Sequence, residues 1–256
     1  MTNRWVGYCV VAGVVALLPG VAWAQNTTPG TSVHILVGQT PMVVNLPTAT
    51  PDRYYDASVV QGRSYCAEAT GAETEVNQTD PVLDILHGAG PTSLGLPDIG
   101  DREPRGLTAA RMCFIAGTTE TVYIKLSPAP GFENLNYTVR FVETTLWANW
   151  FFVSSGYSSY TLVRNTTNAA LTADFRWRND TGTVVASSLG VNVPANGVVF
   201  IDARVVLNCA VACLAPLGSV DISHNASPEA IVGSQTTLSS GTGLSFDTIM
   251  FQRRAW

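Results

Sequence analysis

Over Leu171–Arg178 the chain alternates without a slip. Leu171, Ala173, Phe175 and Trp177 are apolar, and Thr172, Asp174, Arg176 and Arg178 are polar. A period of two sends successive side chains to opposite faces of an extended backbone, so this octet reads as a strand with one face in a core. The same grammar recurs over 137–142, where Tyr137, Val139 and Phe141 face one way and Thr138 and Arg140 the other. Further strands are expected over 34–37, 42–46, 54–60, 63–68, 82–86, 111–116 and 121–126, and then over 184–187, 198–203, 219–223, 230–238 and 245–251. Turn signals separate them, among them Asn179-Asp180-Thr181-Gly182 and Pro194-Ala195-Asn196-Gly197. No stretch combines length, caps and a 3.6-residue period well enough to predict a substantial helix.

Strands at intervals of about 8–12 residues imply sandwiches or barrels. The chain is 256 residues long, and domains commonly run about 100–150 residues, so two tandem β-sandwiches are expected. The expected division is a signal peptide over 1–24, a polar lead-in over 25–32, one sandwich over 33–146 and a second over 147–256. The signal-peptide reading rests on Arg4, an apolar run over 6–18 and the small-x-small site Ala22-Trp23-Ala24. That run is shorter than the roughly 20 residues of a membrane span, and Pro19-Gly20 breaks it, so no membrane span is expected. The expected location is secreted or periplasmic.

Export licenses disulfides. Cys66, Cys113, Cys209 and Cys213 follow the expected cleavage point and allow three pairings. Pairing within each sandwich gives Cys66–Cys113 and Cys209–Cys213. The first would be worth about 3–4 kcal/mol in the chain-entropy model. A formal net charge of −5 argues against nucleic acid, which needs clustered cations.

Four passages, "VVQGRSYCAEAT", "DPVLDIL", "CFIAGTTETVYIKLSP" and "LNYTVRFVE", resemble the bacterial pre-peptidase C-terminal domain, a jelly-roll-like β-sandwich appended to many secreted enzymes. The resemblance covers about residues 50–143. It departs from the family in the cysteine pair and in lacking an Asp-Asp after the first aspartate strand. The second half resembles immunoglobulin-like modules of exported bacterial proteins, through "YTLVRNTTNAALTADFRWRNDTGTVV" and "VPANGVVFID".

No catalytic residues are expected. His34, His87 and His224 have no motif partner, and neighbours Ser223 and His224 on a strand should diverge. The chain contains no nucleophile elbow, phosphate loop, dinucleotide fingerprint or His-Glu-x-x-His motif. Calcium is the one cofactor left open. Asp80, Asp84, Asp98, Asp101 and Glu103 crowd a Gly/Pro-rich stretch, and calcium takes several hard oxygen ligands; the same aspartates suit ordinary turns. Trp147, Trp150, Phe151, Phe152, Tyr157 and Tyr160 form an aromatic cluster that either packs at the seam between the sandwiches or, exposed, grips a ligand. Trp147, Trp150 and Tyr157 are the candidate ligand-binding residues. The function expected is a non-catalytic binding or adhesion-type protein with a polysaccharide or protein ligand. The alternatives are a structural component of the cell surface or an accessory to a secreted hydrolase.

Overall fold

The computed structural model describes residues 26–71, 80–88, 92–99, 109–210, 213–239 and 241–253. The expected signal peptide, Asp101 and Glu103 lie outside the described residues. The first half contains β1 (Val33–His34), β2 (Met42–Leu46), β3 (Arg53–Val59), β4 (Ser64–Gly71), β5 (Pro81–His87), β6 (Ala109–Ile115), β7 (Glu120–Pro128) and β8 (Leu135–Glu143). They form two four-stranded sheets, in the orders β1-β3-β7-β5 and β2-β8-β4-β6. Every pairing is antiparallel except β1 with β3. Between the sheets lies a core that includes Tyr65, Ile85, Phe114, Ile124, Leu126 and Phe141. The rings of Tyr65 and Phe141 stack at 5.4 Å within it.

The second half contains β9 (Leu146–Phe152), β10 (Tyr157–Asn165), β11 (Leu171–Arg178), β12 (Val184–Val193), β13 (Val198–Asp202), β14 (Leu217–His224), β15 (Ile231–Ser239), β16 (Ser245–Met250) and β17 (Gln252–Arg253). One sheet runs β12-β11-β14-β9-β17 and the other β13-β10-β15-β16. Leu171, Ala173, Phe175 and Trp177 point into the shared core, as their alternation requires. The fold is all-β, and no helix among the described residues is long and apolar enough to cross a membrane. A short α-helix, α1 (Ala203–Val206), follows β13. The Asp202 carboxylate accepts a hydrogen bond from the Arg204 amide and so caps the turn.

The sheet holding β10 inverts the usual pattern. Beside the apolar Val163 and Ile231, its core-facing positions include Ser159, Thr161, Gln235 and Thr237, all buried. They pair across β10 and β15: Ser159 Oγ lies 2.6 Å from Thr237 Oγ1, and Thr161 Oγ1 donates to Gln235 Oε1 at 2.5 Å, while Gln235 Nε2 has no hydrogen-bond partner. The apolar residues Leu162, Val198, Phe200, Val232 and Met250 are exposed.

Both disulfides form as paired above. Cys66 and Cys113 are direct partners on β4 and β6, and both are buried. Cys66 Sγ lies 3.5 Å from the carbonyl oxygen of Ala226, in the second half. Around this point the halves are joined by polar contacts. The Gly62 carbonyl accepts from Arg176 Nη1 at 2.8 Å and from Ser223 Oγ at 2.6 Å. The Thr144 amide donates to the Ser64 carbonyl, and the Ser64 amide to Thr145 Oγ1.

Candidate functional site

Strand β9 builds the site through a β-bulge. Ala148 pairs with Val220 and Phe151 with Gly218, so Asn149 and Trp150 together oppose Ser219. The extra residue re-aims the strand. Leu146, Ala148 and Phe151 fill the core, while Trp147, Asn149, Trp150 and Phe152 keep solvent exposure. Gly218 is required next to Ser219, because a Cβ there would sit 1.7 Å from the Arg178 carbonyl oxygen. The Trp150 and Phe152 rings are parallel to within 1°, with centroids 6.0 Å apart. Tyr157, at the start of β10, reaches Phe152 at 6.0 Å.

Trp147 stands further along the strand, against the first half. In the register of the sheet, Arg176, Asp221, Trp147 and Gln252 form one row across four strands. The Arg63 guanidinium lies over the Trp147 ring, 5.6 Å from its centroid, and pairs with Glu143 at 3.2 Å. Arg178 Nε donates to Asp221 Oδ2 at 2.5 Å. Burial raises the Asp221 carboxyl above its ordinary value, and the hydrogen bond and charge of Arg178 oppose that rise. Arg63, Trp147, Asn149, Gln252 and Arg253 enclose an open cavity of about 330 Å³. A second cavity of about 480 Å³ lies between Pro97 and Ile99 of the first half and the Thr166–Leu171 and Asn225–Ser227 turns of the second.

The structure therefore divides the aromatic cluster. Trp150 and Tyr157 come together through Phe152, whereas Trp147 belongs to the arginine-lined cavity. Tyr160 stacks on Phe200 at 5.0 Å, on the other sheet. Arg63, Asn149, Gln252 and Arg253 were not singled out by the sequence. They come from a turn and two strands far apart in the chain, and no local motif links them.

Neither of the two exposed histidine clusters has triad geometry. His34 Nδ1 lies 2.7 Å from Asp56 Oδ2, and Ser32 Oγ donates to Asp56 Oδ1. The carboxylate is the middle member, so the hydroxyl is bound to an acceptor and has no base positioned to activate it. His87 and Thr118 likewise share the same oxygen of Glu120. His224 is fully buried, and neither ring nitrogen has a hydrogen-bond partner of ordinary geometry. Burial pushes its imidazole down to about 4, helped by the Arg253 charge and opposed by the backbone of Thr144 and Ala226.

Of the aspartates proposed for calcium, Asp80, Asp84 and Asp98 lie among the described residues. Asp84 Oδ1 accepts from Ser93 Oγ, and Asp98 Oδ1 accepts from the Arg111 amide. The carbonyl of Asp80 accepts from the Ala129 amide. Among the described residues, no three His, Cys, Asp or Glu side chains converge as metal ligands would. No protein-family model matches the chain, and no curated protein is significantly similar to it.

Proposed function

We propose that the chain is an exported, non-catalytic binding protein that recognises polysaccharide through the outward face of β9. The observation that carries this reading is the pair of parallel, partly buried rings of Trp150 and Phe152, extended by Tyr157. Aromatic rings give large contact area at little cost in side-chain entropy, and their flat faces suit the apolar C–H faces of sugars. Trp150 and Phe152 are held on a bulged strand paired with β14, so their positions are set before a ligand arrives. The two disulfides are compatible with an extracellular location. The resemblance of residues 50–143 to a domain appended to secreted enzymes favours a role in recognition over one in chemistry.

Affinity electrophoresis through gels containing different polysaccharides tests the proposal. At least one polymer should retard the protein, and Trp150→Ala should weaken that binding about tenfold or more without lowering the melting temperature. If no polysaccharide retards the chain, or if Trp150→Ala migrates like the parent, the reading fails.

A further inference from the structure

The cavity beside the aromatic strip has a chemistry of its own. Arg63, Trp147, Asn149, Gln252 and Arg253 line it, and among the described residues no carboxylate does. The ion pairs next to it are layered. The Glu143 side chain is 1% exposed beneath Arg63 at 26%, and Asp221 is 4% exposed beneath Arg178 at 29%. These two negative partners are submerged beneath their guanidinium groups, whereas Glu229, the partner of Arg253, is 71% exposed. In a chain of formal net charge −5, the described lining of this cavity carries two arginines. Arg253 enters from β17, steadied by a 2.6 Å hydrogen bond to the Pro228 carbonyl and a long 3.5 Å pair with Glu229.

Each guanidinium carries five N–H donors in a planar fork. Arg63 spends Nη1 on Glu143, and its Cζ lies over the Trp147 ring, 5.6 Å from the centroid. That contact occupies one indole face, so here the tryptophan positions the arginine instead of stacking on a sugar. The remaining donors of the two arginines, with the amides of Asn149 and Gln252, match an oxyanion attached to a hydroxylated ring. The cavity volume falls at the lower end of the range for small-ligand sites.

We infer that this cavity binds the anionic group of an acidic sugar residue, a uronate carboxylate or a sulfate ester, while the Trp150–Phe152–Tyr157 strip holds neighbouring residues of the same glycan. The inference rests on the polysaccharide-binding reading of β9 and specifies its ligand. Trp147 and Asn149 share a strand with Trp150, so one chain of sugars can cross both parts.

Isothermal titration calorimetry with polygalacturonate, its fully methyl-esterified neutral form and dextran sulfate tests it. An acidic polymer should bind, and its affinity should fall as salt rises. The neutral ester should bind about tenfold or more weakly. Arg253→Gln and Gln252→Ala should each weaken the acidic polymer while leaving the ester unchanged. Arg63→Gln is the less useful variant, because it strips the partner from buried Glu143. Preference for dextran sulfate over polygalacturonate assigns the anion as sulfate. Equal affinity for acid and ester, or no effect of Arg253→Gln, overturns the anionic site. If that equal binding still disappears in Trp150→Ala, the polysaccharide reading survives alone; if none of the polymers binds, both fall.

Discussion

His224 offers a measurable consequence of burying a titratable group without hydrogen bonds. Its imidazole is held near 4 in the folded protein against 6.5 for the exposed group. At about 1.4 kcal/mol per pKa unit, that gap amounts to about 3 kcal/mol in total. A lowered folded-state value means the unfolded chain takes up the proton first. The contribution is therefore fully present above pH 6.5 and is lost as pH falls toward 4. Asp221, two residues from Ser223 on the same strand, has the opposite sign. Its raised value means the folded state holds its proton longer, so its contribution is lost as pH rises through that value. Replacing only His224 separates the two. His224→Leu keeps an apolar side chain of similar bulk in the core and removes two unpartnered nitrogens, so it should be at least as stable as the parent at pH 7.5. Urea unfolding at pH 7.5 and 4.5, followed by tryptophan fluorescence, should show the parent losing about 2–3 kcal/mol more than His224→Leu over that interval. Equal losses, or a His224 ring titrating near 6.5 by NMR, would refute the argument.

Further outcomes are expected. Arg178→Ala leaves the buried Asp221 carboxylate without its partner and should cost about 3 kcal/mol at pH 7, less at acid pH where Asp221 takes up a proton; thermal melts across pH check this. Gly218→Ala drives a Cβ against the Arg178 carbonyl and should cost about 3 kcal/mol or more. Gly182→Ala, at φ +81 with nothing within 4 Å of the added carbon, should cost only about 1–2 kcal/mol by denaturant titration. Mild reduction of the native chain should release the thiols of Cys209 and Cys213 first, because Cys213 is exposed and Cys66 and Cys113 are buried. Replacing Cys66 and Cys113 together by Ala should cost about 3–4 kcal/mol.

Where side chains alternate by burial, the strands were legible in sequence. β11 and β8 carry an unbroken apolar face, and the fold class follows from such faces recurring between turns. Boundaries moved where other forces act. β12 runs on to Val193 although its outer positions are mixed, because it pairs with β11 through a bulged register. The strand expected over 198–203 stops at Asp202, since that side chain caps a helical turn. β10 was hidden for a physical reason. Leu162 faces solvent while Ser159 and Thr161 face the core, and the polar residues are tolerated there because their partners sit opposite on β15. Hydrophobic periodicity cannot register a buried face whose satisfaction comes from another strand.

The candidate site divides along the same line. That Trp147, Trp150 and Tyr157 lie close together in the chain could be read directly. Which of them share a surface could not, because a single bulge opposite Ser219 decides where β9 turns its rings. Arg63, Gln252 and Arg253 join Trp147 only because β17 pairs with β9 and the Arg63 turn packs on its face. The sequence alone determined what depends on near neighbours: strands, turns, an all-β class and a set of aromatic candidates. Tertiary structure alone decided which charges are submerged, which guanidinium groups face out and which histidine is sealed from water. Those properties are set by what lies across a sheet or a seam, at distances along the chain that no local pattern spans.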